Sequence, residues 1–260
     1  MKIFKSKESL KKEISKVRNI SFIPTMGGLH KGHISLIKRS KKFKGKTLVS
    51  IFVNPTQFED KKDFKDYPRN IKKDLNILKE LRINYVFLPI KKEILNFRTS
   101  KKVYLSSFSK KLCGKTRKSH FKGVLNIVNR FLEIIRPKYI FLGLKDFQQF
   151  CLIKKHIIKR KINTKVIACP TIREKNGIAC STRNNNLTLK QKKIASRVYN
   201  YLKNKKKLFN IPFLDVRKKL YNLGVDKIDY LEFLNLKSLR YPKNRNEKFN
   251  VFIAYFLKKT

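Results

Sequence analysis

The sequence predicts an α/β fold, a parallel sheet covered by helices on both faces and followed by a smaller α+β domain. Three observations carry that reading. Short apolar runs of strand length alternate with stretches of helical period from residue 20 to residue 168, the pattern of parallel strands joined by crossover helices. Several of these runs end on glycine or polar residues, where open α/β sheets bind ligands. After Pro170 the texture changes to turns, lysine-rich helices and two late strand-like runs. The domains are accordingly read as 1–171 and 172–260, the second small and closing over the first.

In chain order, residues 6–18 predict a helix capped by Ser6 or Ser9, with Leu10, Ile14 and Val17 as its stripe. Ile20–Pro24 is a buried strand, and a helix from His33 to about Phe43 turns Ile34, Leu36 and Ile37 inward. Thr47–Val53 is the next strand, ending at Asn54-Pro-Thr-Gln-Phe58. A loop at 63–69, a helix at about 70–81 and a strand at Tyr85–Leu88 follow. Residues 101–105 read as a short strand. The glycine-bounded basic loop 112–123 leads to a helix carrying Val124, Ile127, Val128, Phe131 and Ile135, which Pro137 ends. Tyr139–Leu142 and Lys165–Ala168 are strands around a helix with Phe150, Ile153, Ile157 and Ile158. Beyond them come a helix capped at Thr188 and running to about Lys206, a helix at 214–223, and strands at 228–234 and 249–256.

The chemistry concentrates in Phe22-Ile-Pro-Thr-Met-Gly-Gly-Leu-His-Lys-Gly-His33. This is a strand, a glycine turn and a helix start, with His30 and His33 three residues apart on one expected helical face. A helix start offers unpaired N–H groups and the positive end of the macrodipole, a natural seat for phosphate. The histidine pair as half of a metal site is disfavoured, because no Cys, Asp or Glu stands nearby to complete it.

The 260-residue chain is 41% hydrophobic with 20 Phe, enough for a folded core. Its net charge of +48 raises nucleic-acid binding as a function. The lysines, however, are scattered through every segment with abundant Asn and Ile, the imprint of A- and T-rich codons. No basic block interleaved with aromatics stands out, so solvated lysine faces are the expectation, without a specific nucleic-acid partner. Cys113, Cys151, Cys169 and Cys180 form no C-x-x-C pair and read as reduced thiols. The N-terminus lacks the apolar run of a signal peptide, and no run is long enough to span a membrane. A cytoplasmic protein is expected.

Several stretches together resemble the pantoate–β-alanine ligase family over nearly the whole chain. They are Pro24-Thr-Met-Gly-Gly-Leu-His-Lys-Gly-His33, Ser50-Ile-Phe-Val-Asn-Pro-Thr-Gln-Phe58 and Tyr67-Pro-Arg69, then Ser119-His-Phe-Lys-Gly-Val124, Gly143-Leu-Lys-Asp-Phe-Gln-Gln149 and Cys180-Ser-Thr-Arg-Asn184. The resemblance implies a Rossmann-like domain with a C-terminal lid, typically in a homodimer. It implies that ATP and Mg²⁺ serve a two-step ligation. Pantoate is adenylated with loss of pyrophosphate, and the amine of β-alanine then displaces AMP. His33 falls at the family's catalytic histidine. Met26, Gly27, Gly28, Leu29, His30, Lys31, Gly32 and His33 would hold ATP. Gly143, Leu144, Lys145 and Asp146 would join them, as would Ile172 at an adenine contact and Cys180, Ser181, Thr182 and Arg183 in a phosphate-capping loop. Gln57 and Gln149 would read pantoate and β-alanine, as neutral groups able to donate and accept. The metal ligands stay open.

Outside that context, Lys145 is one lysine among many, and Gln57 and Gln149 are ordinary polar residues. His156 reads as structural, and His120 as packing at a helix start or standing near the site. Leu144 and Cys113 replace acidic residues usual in the family, Cys180 and Thr182 alter its serine-rich loop, and the end at Lys258-Lys-Thr260 implies a shortened lid. The alternatives are another H-x-G-H adenylyltransferase and, from a different class, a basic nucleic-acid-binding protein.

Overall fold

The computed structural model describes residues 1–258. They divide into two compact units, one of residues 1–110 with 117–172, the other of 111–116 with 173–258.

The first unit is built on β1 (Lys2–Phe4), β2 (Ile20–Thr25), β3 (Lys46–Ile51), β4 (Tyr85–Phe87), β5 (Tyr139–Gly143) and β6 (Lys165–Cys169), in the order β1-β4-β3-β2-β5-β6. Every neighbouring pair in this sheet is parallel. Strands β2 to β5 are apolar because both faces are covered, as parallel sheets require. Phe22, Leu48, Val49, Val86, Phe87, Ile140 and Phe141 are fully buried. From β2 the chain winds outward through β3 and β4, and from β5 it winds the other way into β6. The order therefore reverses between β2 and β5, the place where such sheets open a crevice beyond their strand ends. Pairing here is short, joining Ser21 to Tyr139 and Phe22 to Ile140. It stops before Pro24, whose missing N–H would leave a gap in a central ladder.

Helices α1 (Lys7–Ile14), α2 (Lys31–Ser40), α3 (Lys61–Lys65), α4 (Ile71–Glu80) and α5 (Lys91–Asn96) accompany the first four strands. In the second unit, α6 (Cys113–Thr116) comes from the internal segment. Helices α7 (His120–Ile135) and α8 (Phe147–Lys159) return to the first unit. Ser6 caps α1 by accepting from the Ser9 N–H, but the helix stops at Ile14, short of residue 18. The expected strand at 101–105 is not one. Its polar backbone groups are taken by side chains: the Tyr104 N–H donates to His156 Nδ1 at 3.1 Å, and the Lys101 carbonyl accepts from Asn129. Part of the expected loop at 63–69 belongs to α3.

The second unit packs α9 (Leu189–Leu202), α10 (Lys205–Leu208) and α11 (Phe213–Asn222) with an antiparallel pair, β7 (Lys227–Asn235) and β8 (Phe249–Phe256). Thr188 and Gln191 form a capping box at the start of α9. The single helix expected to Lys206 breaks after Leu202. Val198, Leu208, Val216, Leu220, Phe233 and Phe249 make this unit's own core. Within the unit, Lys115 reaches Glu232 at 2.8 Å and Cys113 Sγ lies 3.1 Å from the Tyr230 hydroxyl, which fixes the short internal segment. Among the described residues no helix is long and apolar enough to cross a membrane.

Candidate active site

The two ends of the strand-order reversal carry the expected residues. Strand β2 runs into Met26–His30 and α2, and β5 runs into a 3-10 turn at Leu144–Asp146 and then α8. The first turn starts with Thr25, whose hydroxyl donates to the Ser50 carbonyl and accepts from the Gly27 N–H. Gly27 and Gly28 have φ of +83° and +62°, a left-handed backbone that side-chain-bearing residues rarely adopt. A Cβ on Gly27 would also stand 2.9 Å from Asp74 Oδ2.

Asp74 changes the account of this turn. Its side chain is buried on α4, and its two oxygens accept from the Gly28 and Leu29 N–H groups, each at 2.8 Å. The glycine-turn N–H groups just before the helix start are therefore occupied by the protein's own carboxylate. Sequence reasoning missed Asp74. The available signal was an acidic residue on the inward stripe of a helix, four residues before the buried Leu78.

The histidines also differ from expectation. Helix α2 starts at Lys31, so His30 is its N-cap rather than a residue on its face. His30 Nδ1 accepts from the Gly32 N–H at 3.1 Å, and His33 Nδ1 accepts from the His30 N–H at 3.4 Å. The two rings lie 4.1 Å apart, centre to centre. With both Nδ1 atoms acting as acceptors, each ring carries its N–H on Nε2. Burial, the neighbouring His30 and the Lys145 charge push the His33 pKa down to about 3, so His33 is neutral at neutral pH. Lys145 is exposed and pairs with Asp146 at 3.2 Å.

The turn after β3 is held from several sides. Asn54 is buried, accepts from the Thr56 N–H and hydroxyl, and donates to the Gly123 carbonyl. At Gly123 α7 presses so closely on this turn that a Cβ would stand 2.2 Å from the Thr56 carbonyl oxygen. Gln57 is thereby fixed, its amide lying between Asn54 and the Met26 sulfur. His120 closes the turn, its Nδ1 2.7 Å from the Gln57 carbonyl. On α8, Gln148 is buried and donates to the Phe108 carbonyl, while Gln149 is half-buried. Tyr67 is buried against Phe58. Ile172 is the last residue of this unit.

Cys180, Ser181, Thr182 and Arg183 lie together on the second unit. Cys180 is buried, and Ser181 Oγ caps the 3-10 turn Thr182–Asn186 by accepting from the Arg183 N–H. Asn184 secures the loop through Glu174 at 2.8 Å and the Ala179 carbonyl. No cluster of three or more His, Cys, Asp or Glu side chains able to hold a metal occurs among the described residues.

The sequence model for the family described as Pantoate-beta-alanine ligase matches residues 2–260. The chain belongs to the pantoate–β-alanine ligase family. A pantothenate synthetase of Flavobacterium psychrophilum is 37% identical over 260 residues, covering 96% of this chain and 92% of that protein. The crystal structure of a Francisella tularensis pantoate–β-alanine ligase, solved with β,γ-ATP and β-alanine, is 34% identical with a TM-score of 0.81, covering 100% of this chain and 98% of that one. A Thermus thermophilus pantothenate synthetase structure, at 24% identity and a TM-score of 0.91, covers 100% of this chain and 96% of that one and shares the fold. Members of this family are ligases, and the Rossmann-like sheet expected from the resemblance is the one observed. Leu144, which stands where the sequence reading expected an acidic residue, is half-buried, and Lys145 pairs with Asp146.

Proposed function

We propose that this ligase condenses pantoate with β-alanine at the expense of ATP, through a pantoyl adenylate, releasing pyrophosphate and then AMP. The observation that carries the reading is the pair of histidines at the start of α2, each held with its N–H on Nε2, with the Lys145 charge acting on His33 and the Gln57 amide meeting the Met26 sulfur of the same turn. Pantoate's carboxylate is already ionised at neutral pH, so adenylation needs phosphate charge neutralised and geometry held more than it needs a base. The Nε2–H groups of His33 and His30 donate to phosphate oxygens, and Lys145 supplies positive charge. Asp74 occupies the Gly28 and Leu29 N–H groups of the glycine turn, so the phosphate grip falls to the helix start and to side chains. The chain Met26–His33, the turn Gly143–Asp146 and Ile172 hold the nucleotide, while Gln57 and Gln149 read pantoate's hydroxyl and carboxylate groups.

Cys180–Arg183, on the second unit, caps the phosphates as part of a lid. Mg²⁺ arrives with ATP, bound by phosphate oxygens and water, which suits an ion that keeps its hydration and needs few protein ligands. The protein acts in the cytoplasm as a homodimer.

Pyrophosphate and AMP release from ATP and Mg²⁺ tests this, first with pantoate alone and then with β-alanine added. Steady turnover needing both substrates is the expected result. No pantoate-dependent release from folded protein overturns the reading, and transfer of AMP to another acceptor replaces it.

A further inference from the structure

The third histidine of the site region, His120, has the opposite hydrogen-bond polarity from the pair at the start of α2. A carbonyl oxygen only accepts, so the 2.7 Å contact between His120 and the Gln57 carbonyl places the ring's N–H on Nδ1. Nε2 then carries a bare lone pair. Two of the site's other turns act on this ring. The Gln57 turn lies against it, Glu59 of the same turn and Asp146 of the turn after β5 act on it as negative charges, and Arg117 acts as a positive one. Phe121 packs edge-on at 4.9 Å between ring centres. Burial, the largest influence, lowers its pKa from the ordinary histidine value, against the Gln57 bond, so the ring is unprotonated at neutral pH with Nε2 able to accept a proton. The first step has no use for such a group, since its nucleophile is already an anion. The second step does, because an ammonium must become an amide nitrogen.

We propose that His120 is a catalytic residue of the amine step, taking a proton from the nitrogen of β-alanine at Nε2. This rests on the reaction proposed above. The substrate ammonium first loses a proton to water. As its lone pair forms the C–N bond to the acyl carbon, the second departing N–H proton passes to His120 Nε2. The C–O bond to AMP breaks with its electron pair on the phosphate oxygen, and the imidazolium then returns its proton to solvent. Asp146 and Glu59 favour the transient imidazolium, and the Gln57 carbonyl keeps the ring in register while it is charged.

His120→Asn tests the idea, because the asparagine amide can still donate to the Gln57 carbonyl while the base is removed. Two activities are compared in the full chain: pantoate-dependent exchange of pyrophosphate into ATP without amine, and AMP formation with β-alanine. General-base loss predicts a fall in the second of at least about 100-fold, exceeding any fall in the first by at least about 30-fold. Hydroxylamine, whose nitrogen sheds its proton more readily after attack, should recover most of the loss as acceptor. Equal losses in both activities would mean that His120 only positions Gln57, and an unchanged amine step would also overturn the proposal. If the variant melts well below wild type, His120→Gln in the same comparison decides it on the same terms. Wild-type protein lacking pantoate-dependent exchange would instead count against the parent reaction.

Discussion

His33 and His156 show two ways of keeping a histidine neutral within one unit. His33 stands at the start of α2 with Nδ1 occupied by a backbone N–H and its pKa pushed down to about 3, and Nε2–H remains for a ligand. His156 is fully buried on α8. Its Nδ1 accepts from the Tyr104 N–H and its Nε2 lies 2.9 Å from Asn129 Oδ1, to which it donates. Burial first, then the Arg160 and Lys101 charges, push its pKa down to about 4. A depressed pKa alone therefore does not mark a working histidine. What separates the two is whether the second ring nitrogen has a protein partner.

Removing each ring should break that comparison most clearly. On the proposed reaction His33→Ala removes a donor to phosphate, and turnover should fall by about 100- to 1,000-fold with little change in melting temperature. His156→Ala should do the reverse. It leaves a cavity and orphans both the Tyr104 N–H and Asn129, costing about 3 kcal/mol of stability while kcat per folded molecule stays near wild type. Thermal melts and steady-state kinetics on both variants check the pair. Equal effects of the two changes on either measurement would remove the distinction.

Much of this contrast could be read from the chain, and the remainder could not, for physical reasons. The strand–turn–helix at 22–38 is legible because periodicity, glycines and histidines all fall within one local window. The caps at Ser6 and Thr188 are local too. Asp74 reaches across more than forty residues of sequence to the glycine turn, and nothing near Gly28 announces it. The role of His30 as an N-cap was hidden because histidine is not among the usual capping residues. Residues 101–105 have a strand's composition, but His156, Asn129 and Arg160 take the backbone groups a neighbouring strand would have paired. Strand β1 is only three residues long at a sheet edge, too short to show a period.

Acid titration sharpens the comparison on the stability side. Both folded pKa values lie below the unfolded histidine value of about 6.5, so the unfolded chain binds more protons as pH falls. The stability these neutral rings contribute is intact above that value. It is lost as pH falls below it, down to about 4 for His156 and about 3 for His33. For fully buried His156 the loss at the lower end is about 3 kcal/mol. Denaturant titrations between pH 7.5 and 4.5, about the window where the rings differ from the unfolded chain, should show a shallower acid loss in His156→Ala than in wild type. Parallel slopes would mean that carboxylates elsewhere dominate.

The smallest expected effect comes from the surface and should be the same for both histidine variants. The net charge of +48 already counts all 17 acidic residues, so ion pairs such as Lys2–Glu13, Lys7–Glu93 and Lys115–Glu232 leave it undiminished. Like charges on solvated lysine faces repel and destabilise the compact state, and added salt screens them over about 10 Å or less. Raising sodium chloride from about 50 to 300 mM should therefore lift the melting temperature by about 2–5 °C in wild type, His33→Ala and His156→Ala alike, an effect of order 1 kcal/mol. A rise confined to one variant would tie the charge effect to that ring rather than to the lysine surface. No rise in any of them would mean that the lysines stand far enough apart in water for their repulsion to be negligible, and the high charge would then have no bearing on stability.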